Sequence, residues 1–155
     1  MGAAFFYHLT RAPLEAALPG LIEKALGQGW RVAVRGRTDA VLDHLDRALW
    51  LGDGFLPHGR AGGPHDGRQP VLLTSDRALP NSATCLMSIE GADVTVEEVS
   101  MLARTCILFD GNDDAAVEAA RAQWRTLTAA EVETEYWNQA DGRWSRQATS
   151  PPRAN

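Results

Sequence analysis

Apolar positions along this chain recur with two periods, one of strands and one of helices. Ala3-Ala4-Phe5-Phe6-Tyr7-His8-Leu9 is short, aromatic and free of Gly and Pro, which predicts a buried first strand. Thr10 offers a cap, Pro13 suits a first helical turn, and Leu14, Leu18, Leu21, Ile22 and Ala25 then share one helical face. Pro19-Gly20 interrupts that face and predicts a kink or a restart, because an interior proline removes a hydrogen bond and crowds the preceding turn. Gly27 or Gly29 ends the helix. Trp30 to Arg35 alternates as a second strand. Thr38 caps a second helix, with Asp39 in its first turn and an apolar stripe of Val41, Leu42, Leu45, Ala48 and Leu49.

Further strands are predicted at Pro70–Thr74, Thr84–Ile89 and Thr105–Asp110, with a short helix from Val96 to Ala103 carrying Val99 and Leu102 inward. Asp113 and Asp114 open a last helix, in which Val117, Ala120, Trp124, Leu127 and Val132 recur at helical spacing and extend it to about Trp137. Strands joined by helical crossovers imply a parallel sheet in a three-layer α/β fold. Residues 1–138 form a single α/β domain, and 139–155 read as an extended, partly disordered tail, because Ser150-Pro151-Pro152-Arg153 has nothing to bury.

Composition narrows the function classes. A chain of 155 residues fits one domain, and a net charge of -5 argues against a large non-specific nucleic-acid interface. Cys85 and Cys106 each sit in an apolar run and read as buried free thiols in a reducing compartment. No signal peptide is visible and no apolar run approaches about 20 residues, so a cytoplasmic protein without a membrane span is expected.

Three catalytic readings fail on the residues. The turn after the first strand, Leu9-Thr10-Arg11-Ala12-Pro13, has no glycine for a phosphate loop, and no Walker lysine is present. His58 and His65 with Asp66 lack a rigid metal framework. Ser75, Ser82, Ser88 and Ser100 lack a nucleophile-elbow pattern. Asp39, Asp43 and Asp46 read as a solvated helix face. Neither a cofactor nor a metal is expected.

Two stretches suggest docking instead. On the last helix Arg121, Trp124 and Arg125 fall within one third of the circumference, beside Val117. Two guanidinium groups flanking an indole suit a ligand with carboxylates and an apolar end; the alternative is a core tryptophan with solvated arginines. The second stretch runs from Leu45 to Gly59. It breaks at Gly52 and Gly54 and places Trp50, Phe55, Leu56 and Pro57 in a loop, where large apolar side chains either fold back or await a partner.

These residues together resemble the chi subunit family of bacterial DNA polymerase III, over roughly residues 3–137. The features are Phe5-Phe6-Tyr7, the Trp30-Arg31-Val32 strand, Leu45-Asp46-x-Ala48-Leu49-Trp50 followed by Phe55-x-Pro57-His58 and a Gly-rich loop, Pro70-Val71, and the Ala120-Arg121…Trp124-Arg125 helix. The resemblance implies a three-layer α/β/α fold with a mainly parallel five-stranded sheet. It implies no catalysis, but an accessory subunit of the clamp-loader complex that touches DNA only indirectly. One partner is then the psi subunit, with Trp50, Phe55, Leu56, Pro57 and His58 in the docking region, where Trp50 is expected to anchor inward and Phe55 and Pro57 to face the partner. The other is the acidic, Phe-ending C-terminal tail of single-strand-DNA-binding protein, with Val117, Arg121, Trp124 and Arg125 as its site. The runner-up is a small α/β nucleotide-binding enzyme or hydrolase, and a third possibility is a homodimer through the Phe55 surface.

Overall fold

The computed structural model describes residues 2–52, 56–140 and 143–150. The described elements run β1 (Ala3–Leu9), α1 (Leu14–Gly27), β2 (Val32–Arg35), α2 (Asp39–Leu51), β3 (Gly59–Arg60), β4 (Val71–Thr74), β5 (Cys85–Ser88), α3 (Val96–Met101), β6 (Arg104–Asp110), α4 (Asp114–Ala129), β7 (Glu133–Ala140) and β8 (Arg143–Ser150). The sheet has eight strands rather than five, in the order β3-β4-β2-β5-β6-β1-β7-β8. All neighbours pair in parallel except the antiparallel β7 and β8.

Alternation along the strands explains the layers. Tyr7, Val34, Met87 and Leu108 join the cluster that holds Leu18, Ile22, Leu42 and Leu45, so α1 and α2 cover one face. Phe6, Ile107 and Phe109 join Val99, Ala120 and Leu127, so α3 and α4 cover the other. The central strands are buried on both faces, as sheets with helical crossovers require. Cys85 and Cys106 are buried free thiols, and the contact with Cys85, together with burial, pushes the Cys106 thiol well up.

Several local expectations change. Helix α4 stops at Ala129 instead of reaching Trp137. Glu131 takes a left-handed φ of 61°, and the Val132 amide closes back on the Leu127 carbonyl at 3.1 Å. This ends the helix in the manner of a Schellman motif, whose outer residue packs back on the last turn. Val132 is buried for that reason, not because the helix continues. Beyond it Thr134, Tyr136 and Trp137 suit a strand, and Trp144 brings β8 back to stack edge-on against Tyr7, ring centroids 5.0 Å apart. Residues 143–150, expected in the extended tail, are therefore paired in the sheet.

Helix α1 continues through Pro19-Gly20 without a restart, and its N-cap position is Pro13, with no side-chain cap from Thr10. The Gly-rich segment after Gly59 is tied down by local bonds. The Asp66 carboxylate accepts from the Gly62 and Gly63 amides at 2.8 and 3.0 Å, and Arg60 pairs with both Asp39 and Asp43 of α2. Among the described residues no helix is long and apolar enough to cross a membrane.

Candidate docking surfaces

Helix α4 begins where Asp113 accepts hydrogen bonds from the Ala115 and Ala116 amides at 3.0 and 3.4 Å. Ala120 and Leu127 then point into the sheet. The flank toward β7 carries the four residues singled out in the sequence. Val117 is half-buried and packs on the core of this face. Trp124 is also half-buried, edge-on to Phe6 at 5.4 Å and to Tyr136 at 6.0 Å between ring centroids. Its indole is thus fixed by the sheet while part of it stays in solvent. Arg121 and Arg125 are exposed, and Arg121 pairs with Glu118 one turn earlier at 3.2 Å. A surface pair of this kind is worth about 0–1 kcal/mol, so it does not commit Arg121.

The structure adds His8, Phe109 and Tyr136 to this flank. His8 and Phe6 lie on the same side of β1, and the parallel register puts Phe6 opposite Tyr136 and His8 opposite Phe109. His8 Nδ1 and the Tyr136 hydroxyl are hydrogen-bonded, and the His8 ring lies 5.0 Å from Phe109 and 5.8 Å from Tyr136. Gly111 permits this arrangement, because any Cβ there would overlap the imidazole. Burial lowers the His8 pKa and the Arg121 charge lowers it further, against opposing contributions from Gly111 and Asp110. Burial raises the Tyr136 pKa, and Arg121 opposes that. Arg121 is therefore electrostatically coupled to a neutral aromatic floor. Sequence periodicity missed His8 and Tyr136 because they meet Trp124 only through the β1–β7 register.

The second surface lies at the end of α2 on the opposite face. Leu42, Leu45 and Leu49 occupy the inward stripe, so Trp50, one residue further around, turns outward. It is 51% exposed and Leu51 is 84% exposed, which corrects the expectation of an inward anchor. The loop residue that anchors is Leu56, which joins the core of this face. His58 is also buried; its Nδ1 bonds the Leu56 carbonyl at 2.7 Å and its Nε2 meets the Asp46 carboxylate at 3.0 Å. The His58 ring lies under Trp50, centroids 4.3 Å apart. Pro57 is exposed. Phe55 lies outside the described residues. Leu56 and His58 thus support the surface from beneath, and Trp50, Leu51 and Pro57 form its described outer part.

A crevice of about 770 Å³ opens at the carboxyl ends of the strands. It sits between β1 and β6, neighbours whose following helices cover opposite faces, and Leu14, Val41, Phe109 and Ala116 contribute to its apolar wall. This is the switch point at which open α/β sheets hold ligands.

The fold is a doubly wound α/β domain that exposes a basic and aromatic flank on α4 and an apolar patch at the end of α2. The sequence model of the family described as "DNA polymerase III chi subunit, HolC" matches residues 1–135. The chain belongs to that family, the non-catalytic accessory chi subunits of DNA polymerase III, which serve DNA replication. It is similar to the "Probable DNA polymerase III subunit chi" of Rickettsia prowazekii (strain Madrid E), with 25% identity over 111 residues, covering 67% of each chain.

Proposed function

We propose that this chi-family chain is an adaptor that joins the clamp loader to protein-coated single-stranded DNA in the cytoplasm. The α4 flank takes the acidic C-terminal tail of single-strand-DNA-binding protein. Arg121 and Arg125 meet its carboxylates, and Val117, Trp124 and the His8–Tyr136 floor receive its terminal phenylalanine. The α2 end takes the psi subunit through Trp50, Leu51 and Pro57. The carrying observation is the exposed Arg121 guanidinium beside a Trp124 ring that Phe6 and Tyr136 hold in place. The net charge of -5 fits contact with DNA through a protein partner rather than directly.

Fluorescence anisotropy with an acidic, Phe-ending peptide tests the first half. Arg121→Ala should weaken binding about tenfold, as expected for loss of one charge-assisted hydrogen bond, and added salt should weaken the parent complex. Unchanged affinity in the variant would remove α4 from the mechanism.

A further inference from the structure

The turn between β1 and α1 has no glycine, yet its backbone converges as a phosphate loop does. The amides of Thr10, Arg11 and Ala12 all donate to one atom, Oε1 of Gln139 on β7, at 3.1, 3.1 and 3.2 Å. Successive amides aimed at one point form a nest, a concavity suited to anions. These donors are not the free first-turn amides of α1, which begins only after the cap position at Pro13. The loop is held from both sides: the Thr10 hydroxyl donates to the Gln139 carbonyl at 3.4 Å, and the Asn112 amide group donates to the Thr10 carbonyl at 3.2 Å.

The occupant is weaker than the seat. A neutral amide oxygen offers two lone pairs to three donors, whereas an anionic oxygen makes roughly twice as strong a bond to each. The Arg11 guanidinium is exposed at the same turn and has no ion pair among the described residues. Four carboxylates line the same crevice and each has a local partner: Asp110 accepts from the Asn112 amide at 2.9 Å, Asp113 caps α4, Glu90 accepts from the Arg37 and Thr38 amides at 2.7 and 3.0 Å, and Glu15 lies 3.7 Å from His44. Thr10, Arg11 and Ala12 also line the crevice at the switch point between β1 and β6.

We propose that the Thr10–Ala12 turn is an oxyanion-binding site, specific for a carboxylate or phosphate group, which the Gln139 side chain fills in the absence of ligand. An incoming oxyanion displaces Gln139 Oε1, takes its three amides and gains Arg11. The site adjoins the His8 end of the α4 flank, where the Thr10 and His8 side chains both approach Gly111, but it does not depend on the tail-binding reading.

Two variants of the full chain test it. Gln139→Ala should open the seat. Titration with inorganic phosphate and with acetate, against a chloride control, should then move the Thr10, Arg11 and Ala12 amide resonances in a saturable way, at least tenfold more tightly than in the parent. Saturation by phosphate alone assigns a phosphate group, and by acetate alone a carboxylate. Gln139→Glu puts a carboxylate into the seat with little change of shape. Its carboxyl should titrate at least about one unit below the ordinary 4.3, as backbone amides favour the charged form. Absence of saturable amide shifts in Gln139→Ala overturns the proposal. If that variant does not fold, the introduced carboxyl decides alone, and titration at or above the ordinary value overturns it.

Discussion

The most consequential single contact in the scaffold is Arg35 with Glu98. Arg35 is 2% exposed at the end of β2, and its guanidinium forks onto both Glu98 oxygens at 3.1 and 2.7 Å. It also donates to the carbonyls of Asp76, Arg77 and Asp93, so one side chain ties two loops to α3. Burial alone would raise the Glu98 carboxyl, but bonds from Arg35 and the Thr95 amide, with the charges of Arg35 and Arg77, hold it below the usual range. A carboxyl lowered in the folded state adds stability that is present above its unfolded pKa and lost as pH falls through the folded one. Glu98→Ala should therefore cost about 3 kcal/mol at neutral pH, because Arg35 remains buried without its partner. In acid denaturation the variant should also lose less stability between neutral pH and the acid limb than the parent. Equal losses in both proteins would separate the pair from the acid response. Trp50 belongs to the same scale. Trp50→Glu should weaken capture of the clamp-loader partner by about 30-fold, the size of a hot-spot loss, with thermal stability little changed because the ring is half exposed.

At the scale of elements, the positions that were legible are those where one physical signal dominates. The strands β2, β4, β5 and β6 are near-continuous apolar runs, and α2 and α4 carry clean stripes with side-chain caps at Thr38 and Asp113. The ends of the sheet were not legible for the opposite reason. Strand β3 has only two residues, and β7 and β8 mix polar residues with Tyr136, Trp137 and Trp144. Leu127 and Val132 then share a cluster through the helix end, which helical spacing imitates. The missing cue was a helix stop: Glu131 adopts a backbone conformation usually left to glycine. Glu131→Gly should consequently stabilise the protein by up to about 1 kcal/mol, less the extra entropy of glycine in the unfolded chain. A thermal melt checks it, and a lower midpoint would mean that the Glu131 side chain contributes more than its backbone costs. The same gap hid half of the candidate site. Arg121 and Trp124 follow from one helix, whereas His8, Tyr136 and the Gln139 seat require knowing that β7 lies beside β1.

For the whole molecule, the arrangement of the two proposed docking surfaces matters more than either one alone. Helix α2 packs over β3 and β4 on one face of the sheet, and α4 packs over β6 and β7 on the other. From β4 to β6 is three strand spacings, about 14 Å, before the thickness of the sheet and helices is added. No side chain is shared between the surfaces, and the central strands between them are buried and closely packed. Sites this far apart without shared partners act independently to within about 0.5 kcal/mol. An adaptor of this shape should hold both partners at once without one altering the affinity for the other. The acidic peptide should therefore bind the isolated chain and the chain in complex with its clamp-loader partner with Kd values within about twofold, the equivalent of that margin. Trp50→Glu should weaken the partner complex and leave the peptide Kd unchanged, and Arg121→Ala should weaken peptide binding and leave the partner complex unchanged. A tenfold change in peptide affinity on partner binding would show instead that the sheet transmits strain between its faces, and the adaptor would then be a coupled switch rather than a passive bridge.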